Sequence, residues 1–180
     1  WQQDWGLRPD FVLYAGGYDA HKNVDTLIAA FAELPASVVQ RHQLVLAGRC
    51  DPVTAAQLRQ VAHRHRLAAD RLVFTGTLAD EELARLYSSC ALFVAPSLHE
   101  GLGLPPLEAM ACGAAVIGSN ASSLPEVIGC RDALFDPRSR SSIAAKLQAA
   151  LTDADFLAAL RVLAGVQTRQ FSWPVSARRA

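Results

Sequence analysis

The chain has 180 residues, 51% of them hydrophobic, and its 17 basic and 17 acidic side chains cancel. That length fits one domain, since domains run from roughly 50 to 250 residues, and the charge balance argues against nucleic acid, which calls for a basic face. No apolar run approaches the roughly 18 residues of a membrane span, and Trp1-Gln2-Gln3-Asp4 lacks the features of a signal peptide. Cys50, Cys90, Cys112 and Cys130 lie far apart and match no metal spacing, so buried free thiols in a reducing compartment are expected.

In chain order, Phe11–Ala15 is a short apolar strand ending at Gly16-Gly17. Lys22–Leu34 follows as a helix, with Val24, Leu27, Ile28 and Phe31 on one face and Pro35 as its stop. Leu44–Ala47 is the second strand, ending at Gly48, before a helix over about Val53–Leu67 whose His63-Arg64-His65-Arg66 run reads as a solvated face. Leu72–Phe74 is the third strand, then Thr75-Gly76, then a helix from Glu81 capped by Asp80. Ala91–Val94 and Ala114–Ile117 are the fourth and fifth strands, and Ile143–Leu151 and Phe156–Val166 are helical. Asp153-Ala154-Asp155 lies between those last two helices and reads as helix capping rather than a metal motif.

Strands alternating with helices imply βαβ units with right-handed crossovers. Near-continuous apolar strands fit a sheet covered on both faces. The expected fold is therefore α/β, a Rossmann-like three-layer α/β/α domain with a mostly parallel sheet. Ligands of such sheets bind beyond the carboxyl ends of the strands, where these glycine turns gather.

The most informative stretch is APSLHEGLGLPPLEAMACG, from Ala95 to Gly113. A strand breaks at Pro96-Ser97, a loop carries Glu100-Gly101-Leu102-Gly103-Leu104, and Pro105-Pro106 opens a helix. Strand, glycine loop and helix start together make an anion site. Glu100 and Glu108 have seven residues between them, with Glu108 expected on the first turn of that helix. On their own they are also consistent with a solvated loop carboxylate and an acidic residue favoured by the helix dipole.

The stretch resembles the signature of the retaining glycosyltransferases of family four, enzymes of the GT-B fold, matching their E-G-x-G-x-x-x-x-E run at Glu100, Gly101, Gly103 and Glu108. YAGGYDAHKN (Tyr14–Asn23), FTGTLADEELARLY (Phe74–Tyr87) and SNASSLPEV (Ser119–Val127) extend the resemblance, in order, over nearly the whole chain. It implies that residues 1–180 are the C-terminal, donor-binding half of such an enzyme, and that the N-terminal acceptor domain is not encoded here. The stretch at Phe171-Ser172-Trp173-Pro174 would cross back to that domain.

By the same resemblance, Glu100 lies by the donor sugar and is the catalytic candidate, while Glu108 accepts hydrogen bonds from the ribose hydroxyls. Gly16 and Gly17 would be donor-binding, Lys22 and the Gly101, Leu102, Gly103 and Leu104 loop would face the diphosphate, and Gly76 and Leu78 the base, although Leu78 fits a surface leucine equally well. Many relatives carry arginine where this chain has Gly17, a gap that Arg49 or His21 could fill. No metal or other cofactor is implied. The implied function is transfer of sugar from a nucleoside-diphosphate sugar, GDP-mannose first and UDP-sugars next, to a glycan or lipid-linked acceptor. The chain alone would bind donor without catalysing. Its implied setting is cytoplasmic, with any contact at the inner membrane face made through the partner domain. The rivals are a stand-alone nucleotide-binding or regulatory module and a GT-B-fold nucleotide-sugar epimerase.

Overall fold

The computed structural model describes residues 5–171, so Trp1–Asp4 and the Ser172-Trp173-Pro174 part of the crossing-back segment lie outside the described residues. Six parallel strands form one sheet: β1 (Val12–Ala15), β2 (Leu44–Ala47), β3 (Leu72–Gly76), β4 (Leu92–Ala95), β5 (Val116–Ser119) and β6 (Leu134–Phe135). Their order, β3-β2-β1-β4-β5-β6, is that of a doubly wound sheet. The chain builds outward from β1 to β3, then returns to lay β4 beside β1, pairing Val12 with Leu92 and Leu13 with Phe93. Loops leaving β1 and β4 thus part in opposite directions at the sheet's carboxyl edge, and a crevice opens between them.

Helices α1 (Val24–Ala32), α2 (Ala36–Arg41), α3 (Pro52–Arg64) and α7 (Arg140–Thr152) make one packed group. Helices α4 (Asp80–Ser89), α5 (Leu104–Ala111), α6 (Leu124–Ile128) and α8 (Ala154–Gln167) make the other. β1, β2 and β4 are buried along their full length, as a sheet clad on both faces requires. Phe11, Phe31, Phe93, Leu13, Leu46 and Ile117 are among the largest fully buried side chains. The Rossmann-like α/β/α expectation holds.

Several boundaries differ. Lys22 lies not in α1 but in a single 3-10 turn, Ala20–Lys22, and Asn23 between them adopts a left-handed conformation with φ 60°. α2 and β6 escape the sequence pattern because they are short: α2 buries only Val38, and two residues cannot show alternation. Asp80 does not cap α4. It sits inside the first turn, while the Glu82 carboxylate accepts a hydrogen bond from the Ala79 N–H at 2.8 Å. Asp51 caps α3, accepting from Val53 and Thr54, and Asp153 caps α8, accepting from Phe156, as the capping reading of Asp153 requires. All four cysteines are free thiols, but only Cys90 is buried; Cys50, Cys112 and Cys130 are half-buried.

Candidate active site

Two loops meet at the crevice. The one after β1 carries Lys22 and the one after β4 carries Glu100, and buried Asn23 ties them together. Its side-chain amide donates to the Pro96 carbonyl at 3.1 Å and to the Pro137 carbonyl at 2.8 Å, while Leu98 N–H donates to the His21 carbonyl at 2.8 Å. A left-handed backbone is tolerated by asparagine better than by most residues, and here it turns the chain so that Lys22 faces the β4 loop. Lys22 Nζ lies 2.8 Å from Glu100 Oε1 and 3.0 Å from Oε2, in a pair whose side chains are only 19% and 15% exposed. Buried Ser97 also donates to Glu100 Oε1, at 2.6 Å.

The Glu100 backbone is anchored from the side away from β1, by the loop after β5. Its N–H donates to Ser122 Oγ, and its carbonyl accepts from the hydroxyls of Ser122 and Ser123. Beyond this anchor, the N–H groups of Gly101, Leu102, Gly103 and Leu104 have no protein partner among the described residues. Gly103 caps α5 with φ 75°, and a Cβ there would lie 3.0 Å from Leu124 Cδ2, so glycine suits both the turn and the space. Pro105 and Pro106 contribute no donors, which leaves the loop amides as the anion-facing surface of this helix start. Leu102 and Leu104 are each 52% exposed at its rim.

Glu108 is the fifth residue of α5, so it stands on the second turn rather than the first. It is exposed, and Tyr87 OH donates to its Oε2 at 3.0 Å, leaving Oε1 open. Tyr87 is buried, with its ring edge-on to Phe93 at 5.6 Å between centroids. Burial first, and the Glu108 carboxylate second, push its phenol well above the ordinary tyrosine range, so the hydroxyl remains a donor.

A cleft of about 250 Å³ is lined by Gly16, Gly48 and Arg49 from the ends of β1 and β2, Leu78 after β3, Tyr87 of α4, and Glu108. Gly48 has φ 131°, and a Cβ there would sit 2.3 Å from the Gly16 carbonyl oxygen; only glycine lets these two strand ends close the cleft floor. Gly76 accepts at its carbonyl from Gly48 N–H at 3.1 Å, which fixes the start of the Leu78 loop beside β2. Leu78 is half-buried. Among the described residues no group of histidine, cysteine, aspartate or glutamate could hold a metal, and no helix is long and apolar enough to cross a membrane.

The expected residues thus fall into two clusters, Lys22 with Glu100, and Gly16, Leu78 and Glu108 in the cleft, with the Gly101–Leu104 loop leading from one to the other. Gly17 is exposed and its carbonyl accepts from Tyr14 OH. Of the two candidates to make up its missing charge, Arg49 lines the cleft and His21 does not. Sequence reasoning missed Tyr87, Asn23, Ser97, Ser122 and Ser123. All of these except Asn23 act through hydroxyls, and each lies inside one of the quoted stretches.

Comparison with known proteins bears on this geometry. Residues 1–162 match the family model described as glycosyl transferases group 1. The chain is 44% identical over 176 residues to the serotype-specific mannosyltransferase WbdA of Escherichia coli, covering 98% of this chain and 22% of that protein. It is 37% identical over 165 residues to the O-antigen chain mannosyltransferase B of Escherichia coli, covering 91% and 42% respectively. Among solved structures it resembles a sucrose-phosphate synthase from Thermosynechococcus elongatus with a TM-score of 0.80 at 31% identity, over 99% of this chain and 46% of that one. The chain therefore spans about a fifth to a half of the length of the proteins it matches.

Proposed function

The chain belongs to the glycosyl transferases group 1 family, and on that premise we propose that it is the donor-binding half of a retaining, GT-B-type glycosyltransferase. The donor is a nucleoside-diphosphate sugar, GDP-mannose by preference, and the acceptor is a glycan or lipid-linked saccharide held by a second domain. One observation carries the reading: at the crevice between β1 and β4, a lysine–glutamate pair adjoins four loop amides that have no partner among the described residues. Such a run of amides, at a helix start beside a cation, suits a diphosphate. The mannosyltransferase names of two relatives support the sugar and favour transfer over a binding module or an epimerase.

In this reading the diphosphate rests on the N–H groups of Gly101–Leu104 with Lys22 beside it. These groups stabilise the negative charge that builds as the bond to the sugar breaks, the electrostatic part of catalysis. Glu100 faces the sugar and Glu108 accepts from the ribose hydroxyls. The acceptor attacks from the face the diphosphate leaves, which keeps the anomeric configuration. The chain itself supplies donor binding, and transfer awaits the second domain. The work is cytoplasmic and needs no metal, and any membrane contact comes through that domain.

The test is calorimetric titration of the chain with GDP, UDP, ADP and GDP-mannose. The expected result is saturable binding with GDP and GDP-mannose ahead. Absence of binding to every nucleotide in the panel overturns the reading.

A further inference from the structure

We infer that Arg49 reads the base of the nucleotide and sets a preference for guanine. This rests on the donor-binding reading above and names the residue that selects among donors. In a nucleoside-diphosphate sugar the groups come in fixed order: sugar, diphosphate, ribose, base. The sheet lays out the candidate contacts in one direction. Lys22 and Glu100 stand at the adjoining ends of β1 and β4, and the cleft then runs past Glu108 to the ends of β2 and β3. With diphosphate at the first cluster and ribose at Glu108, the base falls beside Arg49 and Leu78. Those two residues line the same cleft as Glu108, whereas Lys22, Glu100 and the Gly101–Leu104 loop do not.

Arg49 is also chemically free. It is exposed, and among the described residues it makes none of the ion pairs, while Lys22 is engaged by Glu100. Guanine presents two acceptors, O6 and N7, on one edge, and a guanidinium meets both with parallel N–H donors. Adenine sets an amino donor beside N7, which opposes the fork, and uracil offers a lone carbonyl on the corresponding edge. Leu78, half-buried on the adjacent loop, supplies apolar surface for the ring.

The experiment compares the parent chain with Arg49→Met and Arg49→Lys, titrating GDP, UDP and ADP by calorimetry. Arg49 is exposed, so the variants should melt with the parent. For Arg49→Met, GDP affinity should fall roughly 5- to 150-fold, the span of one bidentate base contact, with UDP and ADP nearly unchanged. Arg49→Lys keeps the charge without the fork and should not restore the guanine preference. A parallel loss for all three nucleotides in Arg49→Met, restored by lysine, overturns the inference by showing a diphosphate contact. No loss for any, or a parent that prefers UDP or ADP, overturns it as well. A parent that binds no nucleotide ends the donor-binding reading and this inference with it, whereas the other failures leave that reading standing.

Discussion

Lys22 Nζ bridges both carboxylate oxygens of Glu100, at 2.8 and 3.0 Å, and so joins the loop after β1 to the loop after β4 across the point where the sheet reverses direction. A diphosphate arriving on the neighbouring loop amides competes with Glu100 for the same ammonium. As the cation turns to the phosphate, Glu100 keeps Ser97 as a donor and gains a free oxygen. In the proposed reading, donor binding and exposure of the sugar-facing carboxylate are then one event.

Replacing Lys22 with methionine tests that coupling. The stem remains, the cation goes, and largely buried Glu100 is left with the Ser97 hydroxyl alone. Nucleoside diphosphate affinity should fall by about 1.5–3 kcal/mol, or roughly 10- to 150-fold, the range for a hydrogen bond to a charged group. Affinity for the nucleoside without phosphate should hardly change. Stability should drop by about 1–3 kcal/mol from the under-satisfied carboxylate. Calorimetry and thermal melts read both, and equal losses for nucleoside and nucleoside diphosphate would show that the variant harms the whole cleft.

Much of this site can be traced to the sequence. Apolar runs located five of the six strands, because a strand covered on both faces leaves a dense hydrophobic signature. β6 has two residues and leaves none. Glu100, Lys22 and Glu108 were legible as residues with a role, but their partners were not. Tyr87 is 21 positions from Glu108, and Lys22 is 78 from Glu100, and no local periodicity encodes a contact made by topology. Glu108 falls on the second turn and not the first because Leu104, after the Gly103 cap, and not the proline pair, begins α5. Asn23 reads as an ordinary helix-entry residue until the carbonyls of Pro96 and Pro137 are brought to it.

Alkaline pH should unfold the protein through groups that hold their protons only when folded. Burial pushes the Cys90 thiol up to about 12, against about 8.5 in an unfolded chain. Burial likewise raises the Tyr14 and Tyr87 phenols above their ordinary range. Each contributes stability that is fully present below its unfolded pKa and is lost as pH rises towards the folded value. The melting temperature should therefore hold to about pH 8.5 and decline above it, more steeply past about pH 10 where tyrosines join. In the native state near pH 8, Cys90 should resist a thiol reagent and react only in denaturant. Labelling of Cys90 as fast as the half-buried Cys50, read by mass spectrometry, contradicts this account.

Nucleotide binding should survive chelation. The phosphate-facing groups proposed are Lys22 and the loop amides, and the described residues contain no group of potential metal ligands. Titrating GDP with and without a strong chelator should give the same affinity. A fall of more than about tenfold, restored by magnesium or manganese, corresponds to over 1.4 kcal/mol and would mean that the phosphate charge is met by an ion instead.

The contact between Tyr87 and Glu108 gives the sharpest test of the ribose assignment. The hydroxyl holds Oε2 at 3.0 Å and no other protein group bonds the carboxylate of this cleft-lining residue among the described residues, so a diol can be met by a carboxylate whose orientation is already set. Glu108→Gln keeps the size and one acceptor, removes the charge and adds a donor where none is wanted. Affinity for the preferred ribonucleotide should fall roughly 10- to 150-fold, or about 1.5–3 kcal/mol. Folding should suffer little because the side chain is exposed. Tyr87→Phe retains the ring against Phe93 and removes only the positioning hydroxyl. Its cost in affinity should be smaller, about two- to tenfold, because the carboxylate keeps its charge and loses only its fixed orientation. Against the deoxyribose version of the same nucleotide, both variants should bind nearly as the parent does, since the hydroxyl partner of the carboxylate is gone. In the double variant the losses should not add, because Tyr87 acts only through Glu108. Should Tyr87→Phe weaken ribose and deoxyribose nucleotides equally, its hydroxyl merely supports the fold. If Glu108→Gln binds the ribonucleotide as well as the parent but melts several degrees lower, the glutamate is structural and the ribose lies elsewhere in the cleft.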